Sequence, residues 1–314
     1  MKFVKPKVII SKCLEFDACR YDGQIINNQY VKKLKKFINF QPVCPEVEIG
    51  MGVPRKPIRI INNNGNIILY QSDTGIDFSS KMNQFSDKYI SKINQIDGFI
   101  LKSSSPSCAI DSAKIFSKKK PTLLGKGPGL FASKIIKKFS NYPKEEEKRL
   151  NNPILREYFF TCIFTIADFR RVTTFDDLYN YHAKHKYLFM SHNQLLMTKM
   201  GQIAANKDNQ KIEPVLIKYY DMLLMLLSKK SRYPTNINTQ MHVMGYFKKL
   251  LTTKEKKHFL ETIELYRNKK IPISSVNSIL SSWIFRFENE YLMNQSFFNP
   301  FPNELIDTEQ SRFL

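Results

Sequence analysis

"DGFILKSSSPSC", residues 97–108, joins an apolar run to a loop of serines, a proline and a cysteine. The run at 98–101 is short, wholly apolar and preceded by a turn residue, which predicts a strand buried on both faces. A structural thiol would sit inside such a run, but Cys108 sits on the loop that ends it. Two other segments repeat the arrangement: "VIISKC" (8–13) and "QPVC" (41–44) each end a β-rich run in a cysteine. In an open α/β sheet the crevice lies outside the carboxyl ends of the strands. Cys13, Cys44 and Cys108 are therefore expected to converge on one sheet edge although they are far apart in the chain.

Working outward, "QYVKKLKKFIN" and "SSKMNQFSDKYISKIN" carry helical stripes, and "PIRIINNNGNIILYQSD" reads as a hairpin turning at Asn64-Gly65. "PTLLGKGPGLFASKIIKKFS" reads as strand, glycine turn and helix. Strands alternating with helices predict an α/β N-terminal domain with an open, mostly parallel sheet over residues 1–145. The polar, proline-flanked stretch "SNYPKEEEKRLNNP" (140–153) is expected to be the boundary. From 150 to 314 every long segment carries helical periodicity, so an all-α domain follows, with "TTFDD" and "TTKEKK" as helix starts.

The chain has 314 residues and a formal net charge of +21, and both halves are basic. That balance points to a polyanion, most often nucleic acid, as partner. No apolar run reaches membrane-spanning length and the N-terminus does not read as a signal peptide, so no membrane association and a cytoplasmic location are expected. Five cysteines in such a chain do not form a disulfide framework. Cys162 lies in a buried-helix pattern and reads as a small hydrophobe.

Three converging thiols leave several readings open: an iron–sulfur cluster, a zinc site, or unrelated structural thiols. Zinc usually takes a fourth ligand from CxxC pairs, and none occur here. A [4Fe–4S] cluster tolerates scattered thiolates, and three of them leave one iron free for a substrate atom. Arg55 of "GVPR" is a candidate contact to a phosphate or a ring oxygen, against an ordinary surface cation. The turn "GKGPGLFA", with Gly127 at its centre, suits an anion, a close backbone approach to a bound group, or plain tight packing. Glu48, read as one strand-step from Glu46, could be mistaken for it. In the helical half, Lys248, Lys249, Lys256 and Lys257, together with Lys184, His185 and Lys186, are candidates for tracking a phosphate backbone. A metal site on His182 and His185 is the weaker reading against core histidines.

"SKCLEFDACRYDG" (11–23), "PVCPEVEIGMGVPR" (42–55), "LKSSSPSC" (101–108) and "GKGPGLFA" (125–132), in that order, resemble the thiouracil desulfurase family. "YHAKHKYLFMSH" (181–192), residues 241–280 and "YLMNQSFFNPFPNEL" (291–305) resemble the helical domain often fused to it. The fused form is similar to enzymes that remove sulfur from 4-thiouridine in tRNA. The resemblance implies a [4Fe–4S] cofactor on Cys13, Cys44 and Cys108, with Cys19 as an alternate ligand. It gives the acid/base role to Glu46 and a substrate-contacting or proton-relaying role to Ser105. Thiolated tRNA is the implied substrate. Free thiolated bases such as 2-thiouracil, or a redox-sensing nucleic-acid-binding regulator, are the alternatives.

Overall fold

A computed structural model of the chain describes residues 3–118 and 122–306. Strand β1 (Lys7–Ser11) carries Val8, Ile9 and Ile10, all fully buried, as a central strand covered on both faces must be. Chain order continues with α1 (Gln29–Leu34), β2 (Asn39–Val43), α2 (Pro45–Glu48), β3 (Arg59–Asn63), β4 (Asn66–Gln71), β5 (Ile76–Asp77) and α3 (Ser79–Ser91). Then come β6 (Gly98–Leu101), β7 (Ala113–Ser117), β8 (Leu123–Gly127), α4 (Leu130–Lys138) and β9 (Lys144–Glu146).

Four strands form a wholly parallel sheet in the order β2-β1-β6-β9. Ser11 lies level with Val43, and Ile10 with Ile100, so the carboxyl ends of β1, β2 and β6 share one edge. The other five strands form a second, mixed sheet, β5-β4-β3-β7-β8, which the sequence patterns did not separate from the first. Its β3–β4 hairpin turns at Asn64 and Gly65, with φ of 53° and 94°, the left-handed pair that a two-residue hairpin loop needs.

One expectation fails in this region and another gains detail. Residues 140–153 contain β9, a paired strand whose carboxylates are buried. Residues 45–48 are a helical turn started by Cys44 and Pro45, so Glu48 is turned out to solvent and is not a strand neighbour of Glu46.

Helices α5 (Pro153–Phe169), α6 (Phe175–His192), α7 (Gln194–Ala204), α8 (Ile212–Leu227), α9 (Tyr233–Gly245), α10 (Thr253–Arg267), α11 (Ile273–Arg286) and α12 (Glu290–Met293) follow. The starts at Thr174 and Thr252 are full capping boxes, with Asp177 and Glu255 as reciprocal partners. Asn193, extended at φ −161°, divides what the periodicity suggested was one segment into α6 and α7.

The chain separates into two compact units, one running through Ala167 and including Glu304, the other Asp168–Asn303. Most of α5 thus belongs to the first unit. A Cβ on Gly98 of β6 would stand 2.8 Å from Ile163 of α5 and 3.1 Å from the Pro143 carbonyl, so only glycine fits there. Among the described residues, no helix is long and apolar enough to cross a membrane.

Candidate functional site at the carboxyl edge of the parallel sheet

Each cysteine of interest follows a strand of the parallel sheet. Cys13 lies two residues beyond β1, Cys44 directly follows β2 and caps α2, and Cys108 lies on the loop after β6. The loops are knitted to one another: Lys12 donates its N–H to the Val43 carbonyl at 2.8 Å, and Lys102 donates its N–H to the Ser11 hydroxyl at 2.9 Å. The same Ser11 hydroxyl hydrogen-bonds Cys108. Cys13 and Cys44 sense each other electrostatically, and Cys108 senses both.

The thiols differ in character. Burial pushes Cys13 up to about 12, and the neighbouring Cys44 adds to the rise. Burial also raises Cys108. Cys44 alone is lowered, to about 7, first by a hydrogen bond from Cys19 and further by the Val47 N–H of α2 and by Arg55. Cys19 is raised in turn, because its proton serves Cys44. Cys19 is buried beside the site, and its carbonyl lies 3.8 Å from the Cys44 sulfur. Cys162 is buried in α5, against Tyr158.

Beside the thiols is a buried ion pair. Arg55 donates to Glu46 Oε2 through Nε at 2.9 Å and through Nη2 at 2.6 Å. Its Nη1 reaches the Cys19 and Gly52 carbonyls, both at 3.0 Å. The Ser107 hydroxyl donates to the other oxygen, Glu46 Oε1, at 2.9 Å. Both partners of the pair are almost wholly buried, so each depends on the other to offset its desolvation. The fork of Arg55 is thus engaged with Glu46 and the Cys19 and Gly52 carbonyls.

Ser105 and Ser107 divide the work of the serine loop. Ser105 Oγ accepts the N–H of Ser107 at 3.2 Å and of Cys108 at 3.1 Å, shaping the turn. Ser107 is the hydroxyl that touches Glu46, and sequence spacing gave no reason to prefer it. Gly127 lies in β8 opposite Ala113, and a Cβ there would press on Ile115 at 3.0 Å. The glycine that meets the cysteine loop is Gly129, where a Cβ would lie 2.4 Å from the Ser107 carbonyl carbon and 2.8 Å from the Cys108 nitrogen. Of the uses open to "GKGPGLFA", close backbone approach is the one these contacts display.

The basic candidates of the helical unit lie apart from this edge in the chain and differ among themselves. Lys248, Lys249 and Lys257 are exposed, and Lys256 is half-buried. Lys184 and His185 are not available to a phosphate as expected: Lys184 binds Asp168 at 2.6 Å, and His185 is buried between Asp168 and Ser296. His182 bonds the Tyr219 hydroxyl at 2.9 Å, which makes it a core histidine.

Thiols presented by three loops at one edge fit the soft, thiolate donor set that an iron–sulfur cluster takes. Among the described residues, no three His, Cys, Asp or Glu side chains group around a point as a single metal ion requires.

Two stretches of the chain resemble known proteins. Residues 8–147 match the family model described as 2-thiouracil desulfurase, and residues 186–302 that of a protein of unknown function, DUF1722. The uncharacterized protein YbgA of Escherichia coli (strain K12) is 25% identical over 126 residues, covering 40% of this chain and 75% of that protein. The uncharacterized protein YbbK of Bacillus subtilis (strain 168) is 29% identical over 108 residues, covering 32% and 72%. A solved structure, of the [4Fe-4S]-dependent thiouracil desulfidase TudS, aligns with 49% of this chain and 98% of its own at 23% identity and a TM-score of 0.39. The 2-thiouracil desulfurase match thus spans residues 8–147, the part that holds Cys13, Cys44, Cys108 and the Glu46–Arg55 pair.

Proposed function

We propose that this chain removes sulfur from a thiolated uracil with a [4Fe–4S] cluster held by Cys13, Cys44 and Cys108, and that its natural substrate is 4-thiouridine in tRNA. The observation that carries the reading is the convergence of three thiols from three strand ends beside one buried carboxylate. The family match over residues 8–147 supports the reaction class, and the net charge of +21 favours an RNA substrate over a free base.

When bound, such a cluster supplies an iron that no protein thiolate occupies, a soft Lewis acid suited to a thiocarbonyl sulfur. The remaining work falls to side chains. Glu46 is the acid/base: Arg55 holds Oε2, so the proton to be exchanged lies at Oε1, where the Ser107 hydroxyl is already hydrogen-bonded. Arg55 orients the carboxylate. Ser105 fixes the turn that presents Cys108. Cys19, by its hydrogen bond, lowers Cys44 toward its thiolate form and stands as an alternate ligand. The exposed lysines Lys248, Lys249 and Lys257, with Lys256, would grip the phosphate backbone while the base is withdrawn from its stack.

A second reading, action on free 2-thiouracil, is favoured by the description of the matched family. One experiment separates the two. Anaerobically reconstituted protein is incubated with 4-thiouridine-containing tRNA and with free 2-thiouracil, and iron and released sulfide are counted. Sulfide from tRNA in preference to the free base supports the proposal. Sulfide from the free base alone establishes the second reading, and a chain that takes up no iron defeats both.

A further inference from the structure

Three consecutive carboxylates, Glu145, Glu146 and Glu147, would ordinarily be a solvated charge run, yet all three are buried. Buried carboxylates persist only where donors satisfy them. Glu146 and Glu147 find theirs on the cysteine loop. Glu146 Oε1 accepts the backbone N–H groups of Ile110 at 2.8 Å, Asp111 at 3.2 Å and Ser112 at 3.3 Å, and the Ser112 hydroxyl at 2.8 Å. Glu147 accepts the Ser103 N–H at 2.5 Å through Oε2; its Oε1 takes the Ser103 hydroxyl and the Lys102 ammonium, each at 2.7 Å. Two neighbouring side chains thus grip the loop at its two ends, and Cys108 lies between the grips. Ser112 Oγ also accepts the Ser104 N–H at 2.7 Å, which closes the loop on itself. Glu145 turns elsewhere, to Arg149 at 2.7 Å.

We propose that Glu146 and Glu147 are positioning residues for the third cluster ligand: β9, paired to β6, sets where the loop presents Cys108. This rests on the cluster reading above. The geometry supplies its own controls. Glu146 uses a single oxygen as acceptor, so Glu146→Gln keeps an oxygen for the same N–H groups, whereas Glu146→Ala removes it. Glu147 uses both oxygens, one of them on a cation, so Glu147→Gln already breaks the grip. Glu145→Gln touches neither end of the loop.

The test measures iron retained against a chelator by the anaerobically reconstituted full-length protein, the cluster's absorbance, and hydrogen exchange of residues 103 and 110–112 in the iron-free protein. Glu146→Ala and Glu147→Gln should lose iron roughly tenfold more readily, as loss of an outer support does at other metal sites. Glu146→Gln and Glu145→Gln should behave as the wild type. In the iron-free protein, Glu146→Ala should lose protection at 110–112 while circular dichroism shows the fold intact. Wild-type iron retention and unchanged protection in Glu146→Ala and Glu147→Gln would overturn the inference. A wild-type chain that takes up no iron marks failure of the cluster reading, and the exchange measurement then decides the clamp by itself.

Discussion

The carboxyl edge of the parallel sheet and the Asp168–His185–Ser296 cluster of the helical unit both bury side chains with chemistry to offer. In the helical cluster Ser296 Oγ lies 2.7 Å from His185 Nδ1, and His185 Nε2 lies 3.1 Å from Asp168, the order of a nucleophilic triad. Yet Ser296 is only 2% exposed, and its N–H is tied to the Lys184 carbonyl. A cavity of about 310 Å³ nearby is lined by Lys184, Asn294 and Gln295, not by Ser296. A nucleophile must be reached by its substrate, so this cluster holds α6 to the segment after α12. At the sheet edge the side chains come from three separate loops, and the thiols are bonded separately, Cys108 to Ser11 and Cys44 to Cys19. The difference teaches that hydrogen-bond order alone does not make a reactive site.

The strongest way to break that contrast is to exchange the consequences of substitution. Cys13→Ala, Cys44→Ala and Cys108→Ala should each abolish the cluster and with it sulfide release, with the absorbance spectrum and iron content as readouts. Ser296→Ala should leave both intact. Should Ser296→Ala abolish sulfide release in a folded, iron-loaded protein, the assignment of the helical cluster to structure fails. Next in size, Glu46→Gln should slow sulfide release by about 10²–10⁴, the usual contribution of a general acid or base, with iron content unchanged. Loss of iron in that variant would recast Glu46 as a support for the Cys44 turn.

These contrasts also show what the sequence made visible. The strand–cysteine juxtapositions at 13, 44 and 108 were legible because a parallel sheet delivers its strand ends to one edge whatever the chain separation. The hairpin at Asn64-Gly65 and the capping boxes at Thr174 and Thr252 were legible because each is local chemistry. The carboxylates of β9 were not. A run of glutamates looks like a solvated linker, and only the tertiary placement of the 103–112 amides makes it a buried strand. Ser107 was hidden for a similar reason: nothing in "SSSPSC" tells which hydroxyl faces Glu46. The second sheet escaped because the pairing of β3 with β7 leaves no periodic mark in either segment.

A smaller effect sharpens the helical side of the comparison. Burial raises the Asp168 carboxyl, but hydrogen bonds from His185 and Lys184 outweigh it and hold it down to about 2. A depressed carboxylate contributes stability above its unfolded value, and that stability is lost as pH falls through the folded value. Burial also lowers His185, only partly opposed by Asp168, so it costs stability as pH drops below the ordinary histidine range. Both act in one direction, and together they should weaken the helical unit on acidification, with Asp168 contributing on the order of 2 kcal/mol. Trp283, the single tryptophan, is buried in α11 and reports on that unit alone. Its fluorescence melt should fall in midpoint between pH 7 and pH 3, and Asp168→Asn should flatten the dependence below pH 4. An unchanged slope in that variant would remove Asp168 from the account.

The smallest expected effect concerns single lysines. Lys257 faces Glu261 at 4.0 Å, with both side chains well exposed, so the pair contributes little to folding and Lys257→Ala should barely move the melting temperature. If Lys257 lies against a phosphate, its loss should weaken tRNA binding uniformly across sequences and reduce the slope of log affinity against log salt by about 1. Lys248→Ala and Lys249→Ala, also at exposed positions, should do the same if they share the track. Titration of thiolated and unthiolated tRNA across a salt series reads this directly. Equal slopes in wild type and in a variant lacking Lys248, Lys249, Lys256 and Lys257 would clear these lysines from the RNA path. Any tRNA binding would then have to come from elsewhere in the chain, and the helical unit would lose the role proposed for it.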